Sequence, residues 1–407
     1  NRNKEFIRRH IGPSQAEQQE MLSYLGFNSL DEFIKKIVPE KIIENENLKL
    51  EPSVSENTAL QQLKQIASQN KIFKSFIGMG YYGTYTPNVI LRNLLENPGW
   101  YTSYTPYQPE VAQGRLEMLL NFQQMVTDLT GMDIANASLL DEGTAAAEAV
   151  ALCQRVDKNK LNKIFISKNC NPQTIDVVKT RAEPFNLEVV VGDDNEIEKV
   201  NGEVLCSIYQ YPNTYGEING AEAFIKKTQD KKGKAILVTD LLALTILKPP
   251  GEMGADIVVG NSQRFGVPMG YGGPHAAFFA TKDEFKRAMP GRLIGVSKDR
   301  NNDQALRMAL QTREQHIRRE KATSNICTAQ VLPAVIASMY ALYHGPEGLK
   351  SMAQKIMRIR QHLSETLNNN TEYSVLSGVA FDTIKLTADP ALVERIKARA
   401  LEEAINF

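Results

Sequence analysis

An α/β fold built on a mostly parallel sheet is the class this sequence predicts, and three observations carry it. Six short apolar runs, KIFIS (163–167), LEVVVG (187–192), EVLCSIYQ (203–210), KAILVTD (234–240), ADIVVG (255–260) and AAFFA (276–280), recur along the middle of the chain. Each is continuous in its apolar character rather than alternating, as strands are when helices cover both faces of their sheet. The intervals between them are mostly helix-sized, and the 407 residues with 42% apolar side chains suffice for a core of domain size and a smaller second domain.

The chain opens with a helical arm, residues 1–70. Ser14-x-x-Glu17, Ser29-x-x-Glu32 and Ser53-x-x-Glu56 each precede apolar residues at three- and four-residue spacing, the pattern of a capping box at a helix start. Leu22, Leu25, Phe33, Ile37, Leu60, Leu63 and Ile66 are expected to form its buried face, and nothing in the arm carries chemistry. Between 73 and 110 the texture changes to Tyr, Thr, Gly and Pro with little charge, as in GMGYYGTYTP and WYTSYTPYQPE, and reads as ordered loop. Gly78-Met79-Gly80-Tyr81-Tyr82-Gly83 spells G-x-G-x-x-G, but a dinucleotide cradle joins a strand to a helix. Here Thr84-Tyr85-Thr86-Pro87 follows, and the residue before a proline avoids the helical region, so an aromatic loop is expected.

Residues 71–330 form the large α/β domain. Within it, Gly143 and Thr144 open a small-residue helix whose free N–H groups can hold a phosphate or, equally, pack closely on a sheet. Asp141 and Glu142 would repel a phosphate there. Asp240 closes the strand KAILVTD, where ligands of open α/β sheets are met, or it caps the next turn. Twenty-three residues on, Gln263 lies in the polar strand exit GNSQRFGVPMGYGGP. That layout is the one of an enzyme carrying pyridoxal phosphate, with a carboxylate for the pyridine nitrogen and a lysine at the second strand end. The lysine is missing. Lys248 and Lys282 stand elsewhere and read as solvated, and the amide nitrogen of Gln263 is not a nucleophilic amine. Residues 331–407 make a small α+β domain: a long helix from SNICTAQVLPAVIASMYALYHG (324–345) to about 369, the runs EYSVLS and AFDTIKLT, and a last helix that leaves the domain unfinished.

Lys plus Arg number 47, as do Asp plus Glu, so no net field exists to attract nucleic acid or an anionic membrane. No apolar run reaches the ~20 residues of a membrane helix. Cys153, Cys170, Cys206 and Cys327 are widely spaced and predict free thiols in a reducing compartment, and no metal site is expected. His10, His275, His316, His344 and His362 stand at no ligand spacing and read as structural. Arg313–Lys321 is expected to be a solvated helix face whose basic side can meet an acidic partner.

The segments FIRRHIGPS (6–14), residues 79–117, SLLDEGTAAAEA (138–149), residues 239–280 and REQHIRREKATSNICTAQ (313–330) are long and idiosyncratic. Through them the chain resembles the N-terminal, lysine-less half of the P-protein family of the glycine cleavage system, the glycine dehydrogenases (decarboxylating). The resemblance implies a fold-type I pyridoxal phosphate transferase architecture, with the cofactor held by a partner half. It implies decarboxylation of glycine with release of CO2 and aminomethyl transfer to the lipoyl arm of the H-protein. This half is then inactive alone, Gly143, Asp240 and Gln263 are vestigial cofactor positions, and no residue of the chain is certainly catalytic. Tyr81, Tyr82, Thr84, Tyr85, Tyr104 and Tyr107 are the candidates for its share of the active-site wall. Expected partners are the catalytic C-terminal half or second subunit, the lipoylated H-protein and glycine. The expected location is the bacterial cytoplasm, or the mitochondrial matrix if eukaryotic. The rival readings are a structural or regulatory pseudo-subunit of a pyridoxal enzyme, and an independent pyridoxal enzyme using an unusual lysine.

Overall fold

A computed structural model describes residues 10, 12–44, 46, 48–101, 105–273, 275–324, 330–369, 372–376 and 378–407. The chain separates into two compact units, Asn1–Lys74 and Ser75–Phe407.

The first unit carries helices α1 (Gln15–Leu25), α2 (Leu30–Ile37) and α3 (Glu56–Ala67). Ser14 and Glu17 form the full reciprocal box. Ser29 caps Glu32 N–H at 3.1 Å, but the Glu32 carboxylate turns to the Asn28 N–H, so this cap is one-sided. The third cap is Ser55 and not Ser53: Glu56 is already the first helical residue, and the hydroxyl directly before it accepts from Thr58 N–H at 3.2 Å. The expected buried face is also corrected. Leu22 is buried and Phe33 half-buried, its ring 5.2 Å from that of Phe27. Leu25, Ile37, Leu60, Leu63 and Ile66 are exposed, because three short helices cannot cover one another's apolar stripes within this unit.

In the second unit α4 (Gln113–Thr130) ends on Gly131 in the left-handed region at φ 68°, which glycine reaches without a Cβ clash. There follow β1 (Ile134–Ala135), α5 (Glu142–Val156), β2 (Lys163–Ser167), α6 (Pro172–Ala182), β3 (Glu188–Gly192), β4 (Cys206–Tyr211) and α7 (Ala221–Asp230). Then come β5 (Lys234–Asp240), β6 (Ile257–Asn261) and β7 (Ala277–Thr281). The seven strands order as β1-β7-β6-β5-β4-β2-β3, with β6, β5, β4, β2 and β3 parallel and β7 antiparallel to both its neighbours. All six apolar runs are strands: KIFIS and KAILVTD match β2 and β5 end to end, and the other four have ends shifted by up to three residues. The pleat divides them: Phe165, Leu237, Val258 and Phe278 enter one core, and Ile164, Ile166, Ile236, Val259 and Phe279 the other.

An antiparallel pair, β8 (Leu293–Lys298) and β9 (Gln304–Ala309), adds to the expected strands. One face of it is partly solvated, so it shows no continuous apolar run. Helix α8 (Val331–Asn368) breaks at Gly345, where φ is 64° and Pro346 begins its second half. The long helix therefore starts at 331 and not at 324, and residues 325–329, with Cys327, lie outside the described residues. Beyond it lie β10 (Tyr373–Val375), β11 (Leu386–Ala388) and α9 (Pro390–Glu402). Cys153, Cys170 and Cys206 are buried free thiols. Among the described residues, no helix is long and apolar enough to cross a membrane.

Gly260 in β6 has no space for a side chain, since a Cβ there would stand 2.1 Å from the Thr239 carbonyl oxygen and 2.8 Å from the Phe278 ring. Gly260→Ala is expected to cost about 3 kcal/mol by forcing two central strands apart, read as a lowered thermal midpoint of the assembled protein. An unchanged midpoint would contradict this packing.

Candidate functional site

Chain order reverses beside β2, whose successor β3 lies on one side and β4 on the other, and open α/β sheets meet their ligands at the carboxyl ends of strands near such a point. There Asn171 after β2, Gln210 at the end of β4, Asp240 ending β5 and Asn261 ending β6 converge with Glu142 and Arg264. The loop expected to be aromatic runs over them and is stitched down. Gln263 Nε2 donates to the Tyr82 and Val267 carbonyls at 2.7 and 2.8 Å, and its Oε1 accepts from Tyr82 N–H at 3.0 Å. Gln173 Nε2 donates to the Met79 carbonyl at 2.7 Å, the Thr84 hydroxyl to that of Val267 at 3.1 Å, and the Thr86 hydroxyl to that of Gly266. Gly80 sits at φ 91°, and a Cβ there would come within 3.0 Å of the Asn171 amide. No helix follows the G-x-G-x-x-G letters directly.

Arg264 is the centre of the site. Its Nε pairs with Asp240 Oδ2 at 2.8 Å, an Nη donates to Asp382, and its Cζ stands 3.3 Å from the centroid of the Tyr82 ring. Burial works against the guanidinium, but Asp240, Tyr82 and Asp382 outweigh it and hold its pKa above the usual range. For Asp240, burial pushes the carboxyl up and Arg264 opposes it. Asp240 also accepts from Leu242 N–H at 2.8 Å, so the capping reading holds beside the ion pair. Glu142, 3% exposed, accepts from Asn171 Nδ2 at 3.0 Å and from the Thr174 hydroxyl at 2.9 Å. Burial raises its pKa despite these donors.

Pyridoxal phosphate does not fit these residues. Gln263 is fully buried, offers no amine and has both amide atoms engaged. The carboxylate that would face a pyridine nitrogen is paired to Arg264. At the helix start Asp141 accepts from Thr144 N–H at 2.7 Å, and a Cβ at Gly143 would stand 3.1 Å from the Val177 side chain, the close-packing alternative for this turn. The cavity that remains is about 30 Å³, enough for one or two waters. Lys248 pairs with Glu222 and Lys282 with Asp256, and neither lines the site.

The aromatic candidates separate by surroundings. Tyr82 and Thr84 are committed to the site just described. Tyr81 packs on His275 with ring centroids 4.6 Å apart, and burial, aided by Glu142 and Asp141, raises its hydroxyl pKa to about 12. Tyr85 is 95% exposed. Tyr104 lies outside the described residues. The Tyr107 hydroxyl accepts from Arg292 at 2.8 Å, and Arg292 pairs at 2.9 Å with Glu314, both of them buried. The solvated helix expected over 313–321 is thus corrected: Glu314 turns inward to Arg292, and only Gln315–Arg318 is α-helical. His316 stands 3.5 Å from Glu314 and its ring 5.1 Å from that of Tyr107. No group of His, Cys, Asp and Glu among the described residues could hold a metal ion.

Sequence reasoning missed Arg264, Asp382 and Arg292. Arg264 adjoined a residue under scrutiny, and a cation after a strand that neighbours an acidic strand end is a readable signal. Asp382 is 118 residues distant and carries none.

The family model described as glycine cleavage system P-protein matches residues 8–407. The glycine dehydrogenase (decarboxylating) of Pelagibacter ubique is 59% identical over 408 residues, covering 100% of this chain and 42% of the relative. The chain thus spans about two fifths of the length of such curated relatives. A crystal structure of glycine decarboxylase (P-protein) of the glycine cleavage system, in inhibitor-bound form, superposes with a TM-score of 0.85 at 33% identity, covering 98% of this chain and 91% of that one. The fold alone is shared with Oryza sativa TDC solved with PLP and tryptamine, at a TM-score of 0.58 and 7% identity over 94% of this chain and 85% of that one.

Proposed function

Because this chain belongs to the glycine cleavage system P-protein family, we propose that it is the lysine-less, N-terminal half of a glycine decarboxylase. It serves as scaffold and active-site wall for a partner half that holds pyridoxal phosphate. The complete enzyme releases the carboxylate of glycine as CO2 and passes the aminomethyl group to the lipoyl arm of an H-protein, in the cytoplasm as suits the bacterial relatives. The observation that supports this half's role most is Gln263, whose amide is spent on the Tyr82 and Val267 backbone where a nucleophilic lysine would be needed. The exposed apolar stripes of the arm and the exposed ring of Tyr85 suit a large interface with the partner half. A phenol can orient a small zwitterion without adding charge, and Tyr85 and Tyr107 are the wall residues proposed for it.

The pseudo-subunit reading is favoured by Tyr82 and Thr84, which satisfy this chain's own groups. Tyr85→Phe and Tyr107→Phe in the complete enzyme separate the two. A phenol that orients substrate loses a hydrogen bond of ~1 kcal/mol, and turnover of glycine decarboxylation then falls about fivefold, with the thermal midpoint unchanged for exposed Tyr85 and lowered for Tyr107, whose hydroxyl also serves buried Arg292. Turnover within a factor of about two for both variants would favour the scaffold alone.

A further inference from the structure

We infer that Arg264 is the built-in occupant of a site for a planar cation, and that by gripping Asp240 and Asp382 together it latches residues 378–385 onto the strand ends. This goes beyond the proposed function and does not depend on it.

Three features make the site one for a planar cation. Asp240 supplies a carboxylate at a strand end, and Tyr82 supplies a ring face at 3.3 Å, a stacking distance for a flat group. Asp382 supplies a second carboxylate, which pairs with an Nη of the guanidinium while Asp240 pairs with its Nε. A guanidinium meets all three at once, since its plane stacks while its edge reaches two acceptors, which a lysine ammonium cannot do. In an enzyme with a diffusible ligand such a group arrives from solution. Here it is tethered to the chain, and the small remaining cavity leaves no second ligand its place.

The latch follows from what Asp382 is attached to. Phe381 beside it is fully buried. The Phe381 N–H donates to the Gly216 carbonyl at 2.8 Å, Ile218 N–H to Val379 at 3.2 Å, and Arg360 to the carbonyls of Thr383 and Gly378 at 3.1 and 3.3 Å. Gly216 has no space for a Cβ, which would lie 2.8 Å from that of Thr383. These contacts align the segment along the rim, and the charged grip of Arg264 joins it to the sheet. Removal of the guanidinium leaves two largely buried carboxylates without the cation they share, so the segment should open.

Hydrogen exchange of the assembled protein, read on peptides covering 378–385 and 78–86, tests this. Arg264→Ala should speed exchange of 378–385 at least about tenfold. Methylguanidinium at tens of millimolar should restore protection to Arg264→Ala, whereas neutral methylurea should not, nor should methylguanidinium restore it to Arg264→Ala/Asp240→Asn. Unchanged exchange in Arg264→Ala, failure of methylguanidinium, or equal rescue by methylurea would each overturn the inference. If Arg264→Ala does not assemble, Asp382→Asn weakens the latch arm while Arg264 keeps its pair with Asp240. It should loosen 378–385 and leave 78–86 protected, and protection of 378–385 equal to that of the unaltered protein would overturn the latch.

Discussion

Gln263→Lys is expected to destabilise the assembled protein by about 3 kcal/mol and to form no covalent adduct with added pyridoxal phosphate. Gln263 is 0% exposed, and its amide serves both the N–H and the carbonyl of Tyr82. Lysine keeps donors for the two carbonyls but offers no acceptor, so the Tyr82 N–H is left without the partner it has. A charged ammonium would also lie one residue from Arg264, already the cation of a buried cluster. Were the amine to shed its proton and become nucleophilic, the aldehyde would still have no place to stand, because Asp240 is engaged and the cavity is about 30 Å³. Scanning calorimetry reads the first half of the prediction, and borohydride reduction followed by peptide mass spectrometry reads the second. Gln263→Met, which removes the same hydrogen bonds without adding charge, should fall between the two. A lysine variant of undiminished stability that carries a stoichiometric adduct would refute both parts.

What the sequence made legible follows from the range over which each signal acts. Strands such as KIFIS and KAILVTD announce themselves because burial on both faces demands continuous apolar character, and the sheet contains all six runs. The aromatic loop was legible because Pro87 forbids the helix that a dinucleotide cradle needs. Ser55 displaced Ser53 because a cap must directly precede the first helical residue, and two serines spaced by one cannot be told apart by motif alone. In the site, Asp240 and Gln263 were readable as strand ends with chemistry in view. Their present role was not, since it depends on Asp382 being carried to Arg264 from a different part of the fold. Glu314 misled for the same reason: a charge-rich run looks solvated until Arg292, from a distant strand edge, draws one carboxylate inside.

Glu142→Gln is expected to stabilise the protein at neutral pH and to lose that advantage as the pH falls toward 4.5, whereas Glu142→Ala should cost about 3 kcal/mol throughout. Burial raises the native pKa of Glu142 above the ordinary glutamate value of 4.5, with Asp240 adding to it, while Asn171 and Thr174 pull the other way. A carboxyl whose folded pKa lies above its unfolded value holds its proton more tightly when native. Its favourable contribution is therefore complete below the unfolded pKa and declines as pH rises through 4.5 toward the folded value. Glutamine keeps the shape and an oxygen that accepts from both Asn171 and Thr174, and it cannot ionise. The stability of the variant relative to the parent should thus climb with pH above 4.5 and level off once the native carboxyl ionises. Alanine removes the acceptor and leaves two buried donors unserved, at ~1–3 kcal/mol each before any relaxation. Denaturant midpoints of the assembled protein between pH 5 and pH 8 discriminate this from the opposite case. Glu142 is also the first residue of its helix, where the positive dipole end favours an anion. If that field prevailed over desolvation, the native pKa would be depressed, and Gln would be the less stable form at neutral pH.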